Sequence, residues 1–403
     1  MDYKAESLKL HKALGGKIEM NSRVTIESTQ DLSIVYSPGV SEPCLEIQKD
    51  PTLSYVYTRR HNTVAVITDG SAVLGLGNIG PEASMPVMEG KAVLFKLLGD
   101  VDAIPLCLKT QDTDEIVNII YALSGSFGGI NLEDIAAPRC FEIERRLQAM
   151  CDIPIFHDDQ HGTAIVVMAA VINALKVVGK NIGEIKAVIN GVGAAGTAIA
   201  EFLLDYGIKD LILCDKFGIL SKDDNTLSET HMKMALKTNT KCLRGTLSLA
   251  VEGADLFIGV SGPNCLTSED IKKMNAKAIV LPLANPTPEI GYELAKTSGA
   301  HVVGTGLSNF PNQINNLLAF PGVFRGTFDA KASEINREMM IAAAQAIANS
   351  VSEAQLSENY IIPNPLDKSV HHKVATAVKE SAIRTGASKL KNVQDAMEES
   401  SQK

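Results

Sequence analysis

Short apolar runs alternate with longer stretches of helical spacing from residue 63 onward. The apolar runs predict buried strands at 63–68, 101–106, 129–131 and 153–156, then at 185–190, 210–214, 255–259, 277–281 and 301–303. Helical spacing falls mainly between them, at 85–98, 113–123, 138–149, 162–178 and 197–206, and again at 330–350 and 373–387. This alternation is typical of parallel sheets with crossover helices, so we expect an α/β fold.

The length of 403 residues exceeds the roughly 250–300 residues at which single cores stop growing. We therefore predict two domains, 1–161 and 162–387, and a frayed tail at 388–403. The first 31 residues are polar and mixed, with a helical stretch at 7–14. Such an arm often packs on a partner subunit, and we expect a homodimer or a higher homo-oligomer.

Composition excludes several classes of protein. A formal net charge of -9 would repel a phosphate backbone, which argues against nucleic-acid binding. The most apolar run, 164–172, is half of the roughly 18 residues that a membrane span needs, and the first residues lack a secretory pattern. The seven cysteines contain no CxxC pair, so neither zinc nor a disulfide framework is indicated. We expect a cytoplasmic protein without a membrane partner.

A glycine-rich turn directly follows the strand predicted at 185–190. Its sequence is Gly191-Val192-Gly193-Ala194-Ala195-Gly196, and a helical stretch comes after it. The first glycine permits the tight turn, the second lets a phosphate approach the backbone, and the third packs the helix on the strand. The helix N-terminus can hold a pyrophosphate through its free amides. The second domain is therefore predicted to be a doubly wound, Rossmann-type dinucleotide-binding domain.

Asp215 ends the next predicted strand, where an acidic residue accepts hydrogen bonds from the adenosine ribose. A carboxylate at this place repels a 2′-phosphate, which favours NAD over NADP. Lys216 and Lys222 lie close by in sequence and can neutralise such a phosphate. NADP therefore remains the alternative cofactor.

Two acidic pairs follow predicted strands in the first half of the chain. Glu133-Asp134 comes after one strand, and Asp158-Asp159 comes after another within His157-Asp158-Asp159-Gln160-His161-Gly162. Open α/β sheets place ligands at the carboxyl ends of their strands, and oxygen ligands suit Mg²⁺ or Mn²⁺. Carboxylates are also common in the first turn of a helix, so helix capping is an equal alternative on these residues alone.

The whole series of motifs resembles the malic enzyme family, in particular its short prokaryotic-type members. The resemblance covers most of the chain and is carried, in order, by Val35-Tyr36-Ser37-Pro38-Gly39-Val40, Thr68-Asp69-Gly70, Leu74-Gly75-Leu76-Gly77, Glu89-Gly90-Lys91-Ala92, Leu132-Glu133-Asp134-Ile135, Asp158-Asp159-Gln160-His161-Gly162-Thr163, Asn285-Pro286-Thr287, Asn315-Asn316 and Phe320-Pro321-Gly322. It implies that the first domain binds substrate and metal. The implied reaction is the oxidative decarboxylation of L-malate to pyruvate, with oxaloacetate decarboxylation as a related activity.

Residue roles also follow from the resemblance. It implies Tyr36 as general acid, Lys91 as general base, Asn285 and Asn316 as substrate contacts, Glu133, Asp134 and Asp159 as metal ligands, and Asp158 as their supporting partner. One departure stands out, because larger family members carry an arginine two residues after the Thr-Asp-Gly glycine. This chain has Ser71-Ala72 there, and the substrate carboxylate needs another partner.

Two other functions compete with this interpretation. A malolactic enzyme would keep NAD bound and convert malate to lactate, and its motifs overlap strongly with those present here. A non-catalytic dinucleotide-sensing module would be expected to lose the acid, the base or a ligand. None of these residues is lost.

Overall fold

The computed structural model of the chain describes residues 2–389. Two sheets stand at its centre, one of four strands and one of six. Most of the tail predicted at 388–403 lies outside the described residues, which end at 389. Ser388 is described, and it pairs with Ala332 in an isolated antiparallel bridge.

The first sheet has four parallel strands in the order β2-β1-β3-β4. They are β1 (Thr63–Thr68), β2 (Asp102–Cys107), β3 (Gly129–Leu132) and β4 (Ile155–His157). All six residues of β1 are buried. Val64 and Val66 pack into one apolar cluster and Ala65 and Ile67 into another. Because both faces are covered, the strand reads as a continuous apolar run rather than an alternating one.

The second sheet has the order β10-β9-β8-β5-β6-β7. Its strands are β5 (Lys186–Asn190), β6 (Asp210–Asp215), β7 (Gly218–Ile219), β8 (Leu256–Gly259), β9 (Ile279–Pro282) and β10 (Val302–Val303). All pairs are parallel except β6 with β7. The chain runs outward from β5 to β6 on one side and returns to β8 on the other. A doubly wound sheet of this kind opens a crevice at the carboxyl ends of β5 and β8.

Sixteen α-helices accompany these strands within residues 2–389. Those before β1 are α1 (Tyr3–Leu14), α2 (Thr29–Val35), α3 (Ser41–Lys49) and α4 (Ser54–Tyr57). Those between β1 and β5 are α5 (Pro81–Gly99), α6 (Thr113–Leu123), α7 (Arg139–Met150) and α8 (Asp158–Val178). The remainder are α9 (Ala194–Asp205), α10 (Glu229–Lys237), α11 (Leu247–Ala250), α12 (Ser268–Lys272), α13 (Tyr292–Thr297), α14 (Phe320–Asp329), α15 (Arg337–Ala348) and α16 (Lys368–Thr385).

Helix α8 joins the two sheets. It begins immediately after β4, and its buried residues belong to the large apolar cluster that also takes in Val64 of β1 and Ile189 of β5. By length and composition alone the helix could cross a membrane, yet 72% of its most apolar window is buried inside the fold. This is the pattern of a core helix. The predicted division after residue 161 falls inside its first turns.

The N-terminal arm, residues 2–61, is exposed or half-buried along its whole length. None of its residues is buried, although it contains four helices. The arm contacts helix α5 at Lys17, whose backbone N–H donates to Glu89 Oε2 at 2.9 Å and whose Nζ donates to the carbonyl of Pro86 at 2.6 Å. More than half of the large hydrophobic side chains exposed in the described chain lie in this arm. A surface of that kind is unusual unless something covers it.

The predicted strands of both sheets are present, with ends shifted by one or two residues. The helix predicted at 330–350 is present but shorter, since α15 runs only from Arg337 to Ala348, and helix α14 (Phe320–Asp329) before it was not predicted. Pro321 and Gly322 obscured α14, but proline is favoured in a first helical turn and Gly322 packs against the backbone of His371. The short strand β7 was missed because two residues carry no pattern.

Four aromatic rings tie α5, α14 and β4 together. Phe95 lies 4.7 Å from Phe320 and 5.3 Å from Phe324 between ring centroids, and Phe156 lies 5.8 Å from Phe324. Phe95 and Phe324 are fully buried. Edge-to-face contacts of this kind add to the gain from burial.

Phe324→Ala should therefore lower the free energy of unfolding by roughly 3–5 kcal/mol, because it removes a large side chain from a packed core. Thermal denaturation followed by circular dichroism measures the loss as a lower melting temperature. Phe217→Ala is the matched control, since the Phe217 side chain is 86% exposed. Equal melting temperatures for the two variants would contradict the importance of this cluster.

Candidate active site

Four carboxylates converge at the carboxyl ends of two neighbouring strands. Strands β3 and β4 pair so that Leu132 lies opposite His157. Glu133-Asp134 and Asp158-Asp159 are the residues that follow these partners directly. The parallel register therefore brings two acidic pairs, distant in sequence, to one edge of the sheet.

Three of the four carboxylates form a group that suits a metal ion. Glu133, Asp134 and Asp159 each offer an oxygen atom, and these atoms lie within 4.8 Å of one another. An oxygen-only donor set of this size fits Mg²⁺ or Mn²⁺ better than zinc. Neither pair caps a helix by a side-chain hydrogen bond, because the N-cap residues of α7 and α8 lie outside both pairs. Asp158 and Asp159 do lie in the first turn of α8, where negative charge suits the helix dipole as well as a cation.

Lys91 of helix α5 lies against the same group and is 8% exposed. Its Nζ is 2.7 Å from Asp158 Oδ2 and 3.0 Å from Glu133 Oε1. The ring centroid of Phe320 lies 4.3 Å from the same nitrogen. Lys91 therefore does not reach solvent along the helix surface, and its charge is enclosed by two carboxylates and an aromatic face.

Burial and charge act against each other in this group. Burial acts to lower the pKa of Lys91, but Asp158, Glu133 and Asp159 outweigh it and hold that pKa well above its usual value. Burial, partly offset by Lys91, raises the pKa of Glu133 and of Asp158 to about 7 each. One ammonium thus faces several carboxylates, and an additional cation would relieve their mutual repulsion.

The backbone around the acidic pairs is tightly fixed. Asp134 has a φ of +53°, its N–H donates to Asp159 Oδ2 at 2.8 Å, and its carbonyl accepts from Ala72 at 2.9 Å. A Cβ on Gly162 would lie 1.8 Å from Asp158 Oδ1 and 3.3 Å from the Cβ of Asn316. Only glycine fits at position 162, and the contact brings Asn316 to the edge of the carboxylate group.

The other predicted substrate residue, Asn285, lies in the loop after β9 and is exposed. The peptide bond to Pro286 is cis. A Cβ on Gly75 would lie 2.3 Å from the carbonyl oxygen of Asn285, so the loop that follows β1 approaches the loop of the second sheet. Together these two loops form part of the wall between the sheets.

The glycine-rich turn joins β5 to α9. Helix α9 begins at Ala194, three residues earlier than predicted. Gly191 has a φ of +110°, and a Cβ on Gly196 would lie 1.8 Å from the carbonyl oxygen of Gly191. A small cavity lined by residues of the first turns of α8 and α9, including His161 and Thr197, shows that the two helix N-termini are neighbours. The turn and the carboxylates therefore lie in one region of the molecule.

Asp215 lies at the end of β6, as predicted, and it is already engaged. Its Oδ1 accepts from the N–H of Phe217 at 2.8 Å, and its Oδ2 lies 3.6 Å from Nδ1 of His231. Nε2 of His231 is 3.2 Å from the carbonyl oxygen of Val192 in the glycine-rich turn. Lys216 rests over the ring of Phe217, 4.9 Å from its centroid. No motif in the sequence marks His231.

Tyr36 is the one predicted catalytic residue that is not buried near the others. It directly follows helix α2 in the N-terminal arm, and its side chain is 71% exposed.

No arginine stands at Ser71-Ala72, where larger family members carry one. A guanidinium does lie beside it, since Nη2 of Arg139 is 3.0 Å from Ser71 Oγ and 2.6 Å from Asp69 Oδ2, but the buried Asp69 neutralises it.

Family profiles match both halves of the chain. Residues 15–148 match the malic enzyme N-terminal domain, and residues 160–383 match the malic enzyme NAD-binding domain. The chain belongs to the malic enzyme family. A bifunctional malic/malolactic enzyme of Bacillus subtilis is 52% identical over 97% of this chain and 95% of its own length.

Other members of the malic enzyme family extend the comparison. The crystal structure of an NAD-dependent malic enzyme from Thermotoga maritima is 50% identical, with a TM-score of 0.89 over 92% of this chain and 98% of that one. An NADP-dependent malic enzyme of Escherichia coli is 44% identical over 95% of this chain, which spans 53% of its length. The fold and the dinucleotide-binding domain are those of the family.

The glycine-rich turn allows a sharp test of where the dinucleotide binds. Apart from Gly193 and its two chain neighbours, no described residue has an atom within 4 Å of the point that a Cβ on Gly193 would occupy. Gly193→Ala should therefore keep the wild-type melting temperature and weaken NAD binding, because the methyl group stands where a pyrophosphate approaches. Isothermal titration with NAD measures the effect.

Gly196→Ala is the contrasting variant. Its Cβ would collide with the carbonyl oxygen of Gly191. It should lower the melting temperature as well as the affinity for NAD. Wild-type affinity in Gly193→Ala would place the pyrophosphate elsewhere.

Proposed function

We propose that this protein oxidises L-malate to pyruvate and carbon dioxide and reduces NAD. The observation that carries the proposal is the buried group in which Lys91 meets Glu133 and Asp158, next to the N-termini of α8 and α9. An alcohol oxidation needs a base for the hydroxyl proton and a hydride acceptor close to the same carbon. Lys91 can serve as the base, and the nearby glycine-rich turn can bind the dinucleotide that accepts the hydride.

Glu133, Asp134 and Asp159 are the residues that would hold Mg²⁺ or Mn²⁺. Their oxygens lie close together, and Asp158 is committed to Lys91 instead. When bound, the cation supplies a Lewis acid that polarises the C2 oxygen of the substrate and offsets the negative charge left as carbon dioxide departs. Asn316 lies at the edge of this group, and Asn285 lies in the loop that contacts Gly75. Their side-chain amides can orient the substrate by hydrogen bonds.

Lys91 has to lose its proton before it can accept one from the substrate hydroxyl. Asp158 Oδ2 lies 2.7 Å from Nζ, and burial raises the pKa of Asp158 to about 7. The charges of Asp158 and Glu133 hold the pKa of the Lys91 ammonium well above its usual value and so favour its protonated form. A divalent cation held by the neighbouring carboxylates would offset these charges and lower the pKa of Lys91. We propose that cation binding prepares Lys91 to act as the base.

NAD is the cofactor that the ribose site favours. Asp215 can accept hydrogen bonds from ribose hydroxyls and repels a 2′-phosphate. Lys216 rests on Phe217, has no ion pair within residues 2–389, and can turn toward a phosphate. We therefore propose a preference for NAD with residual use of NADP.

Malolactic conversion is the second candidate, because the Bacillus subtilis relative is named for both activities. The two reactions share the oxidation of malate and its decarboxylation. They differ in the last step, since a malolactic enzyme returns the hydride to pyruvate before release. Lactate without free NADH would identify this activity.

Steady-state turnover of L-malate tests the proposal directly. We expect NADH and pyruvate in equal amounts, a kcat/KM that is roughly five- to a hundredfold higher with NAD than with NADP, and loss of activity with a chelator that Mn²⁺ restores. Lys91→Ala should lose nearly all turnover and still bind NAD. Activity that a chelator leaves unchanged would overturn the metal assignment.

We also propose that the protein works as a homodimer whose N-terminal arms are exchanged. The arm has no buried residue and exposes a large apolar surface, which a second copy of the chain would cover. Tyr36 lies in this arm and is 71% exposed, so the predicted general acid is not enclosed with the buried Lys91 group of one protomer. An arm docked on a second copy would bring Tyr36 into that copy's site, where it can protonate the enolate carbon.

Mixed dimers test this arrangement. A Tyr36→Phe subunit and a Lys91→Ala subunit carry different affinity tags, and the heterodimer is isolated over two columns. Each mutant homodimer should be nearly inactive. In an exchanged dimer one of the two sites is intact, so the heterodimer should show roughly half of the wild-type turnover.

The converse heterodimer is the control. It pairs a wild-type subunit with one that carries both substitutions, and in an exchanged dimer it has no intact site. If Tyr36 serves its own subunit, the activities of the two heterodimers are reversed. An inactive first heterodimer with a half-active second would therefore contradict the exchange.

A further inference from the structure

A buried glutamate behind the carboxylate group contacts both ends of the turn that carries Asp158 and Asp159. Glu144 lies on α7, and its side chain is 7% exposed. Its Oε1 accepts from the backbone N–H of His157 at 3.0 Å and lies 2.9 Å from Nε2 of His161. Its Oε2 accepts from Nε2 of Gln160 at 3.1 Å.

These partners bracket the acidic pair in sequence. His157 precedes Asp158, while Gln160 and His161 follow Asp159. The hydrogen bonds of Glu144 therefore fix the turn before and after the two aspartates. A further hydrogen bond connects these aspartates to the segment after β3, because Asp159 Oδ2 accepts from the N–H of Asp134 at 2.8 Å.

Electrostatics explains why the turn needs such an anchor. Glu133, Asp158 and Asp159 repel one another, and Lys91 supplies a single compensating charge. A turn held only by its own backbone would relax by moving the carboxylates apart. Glu144 is itself held as an anion, since His161 and the amide of His157 outweigh burial and keep the pKa of Glu144 below its usual value.

We infer that Glu144 is a positioning residue, which holds Asp158 and Asp159 in the arrangement that binds the divalent cation. It touches neither substrate nor cofactor and acts through the first turn of α8, which directly follows β4. The inference rests on the proposed metal site, but it is measured by metal affinity and not by malate turnover.

Glu144→Gln keeps the size of the side chain and removes its charge. One oxygen then becomes an NH₂ group that faces the N–H donors of its former partners. We expect the Kd for Mn²⁺ to rise roughly 10- to 100-fold, as is usual when a residue that orients metal ligands is replaced. Electron paramagnetic resonance of free Mn²⁺ measures this Kd. The Kd for NAD should stay at the wild-type value.

Asn173→Ala is the matched control for a purely structural effect. Asn173 lies on the same helix, is 1% exposed, and donates to the carbonyls of Ala348 at 2.8 Å and Ile361 at 2.9 Å. It is about four turns from the aspartates along α8. Its loss should lower the melting temperature and leave the Kd for Mn²⁺ unchanged.

His161→Gln provides a second variant in case Glu144→Gln fails to fold. It leaves the Glu144 carboxylate and removes one partner, so the Kd for Mn²⁺ should rise by a smaller factor, roughly three- to tenfold. Mn²⁺ affinity that stays within twofold of wild type in both variants would overturn the positioning role. A wild-type protein that binds no Mn²⁺ would instead contradict the metal site itself.

Discussion

The structure of the candidate active site depends on one electrostatic constraint. A single buried ammonium cannot balance the charges of the carboxylates around it. Lys91 lies 2.7 Å from Asp158 and 3.0 Å from Glu133, with Asp134 and Asp159 close by. The parallel register of β3 and β4 imposes this crowding, because it places both acidic pairs at one sheet edge. This excess of negative charge favours the binding of a divalent cation, because a further positive charge reduces the repulsion among the carboxylates.

Much of this group could be predicted from the sequence. Glu133, Asp134, Asp158 and Asp159 each follow an apolar run, and the carboxyl ends of parallel strands meet at one edge. The pairing of Lys91 with Asp158 could not be predicted, since the direction of a side chain on α5 depends on how that helix packs. Helix capping and metal binding are equal alternatives in the sequence, and only the structure shows that three of the carboxylates converge on one point.

Other residues left no signal in the sequence. Glu144 stands in an ordinary charged stretch of α7, and its role depends on contacts with residues 13 to 17 positions away. His231 reaches Asp215 from a helix that no motif marks. Tyr36 shows the opposite case, because its motif is clear while its surroundings depend on what covers the arm. The domain boundaries stay a prediction, since the buried residues of α8 pack in one cluster with residues of both sheets.

Helix α8 has a consequence for how the protein is made. It is apolar enough to resemble a membrane span, and 72% of its most apolar window is covered in the finished fold. Part of that cover comes from β5 and α9, which are synthesised later. The nascent chain therefore exposes a long hydrophobic segment to the ribosome surface and to chaperones before β5 and α9 are synthesised. For the same reason, a fragment cut after residue 178 would expose this helix and aggregate.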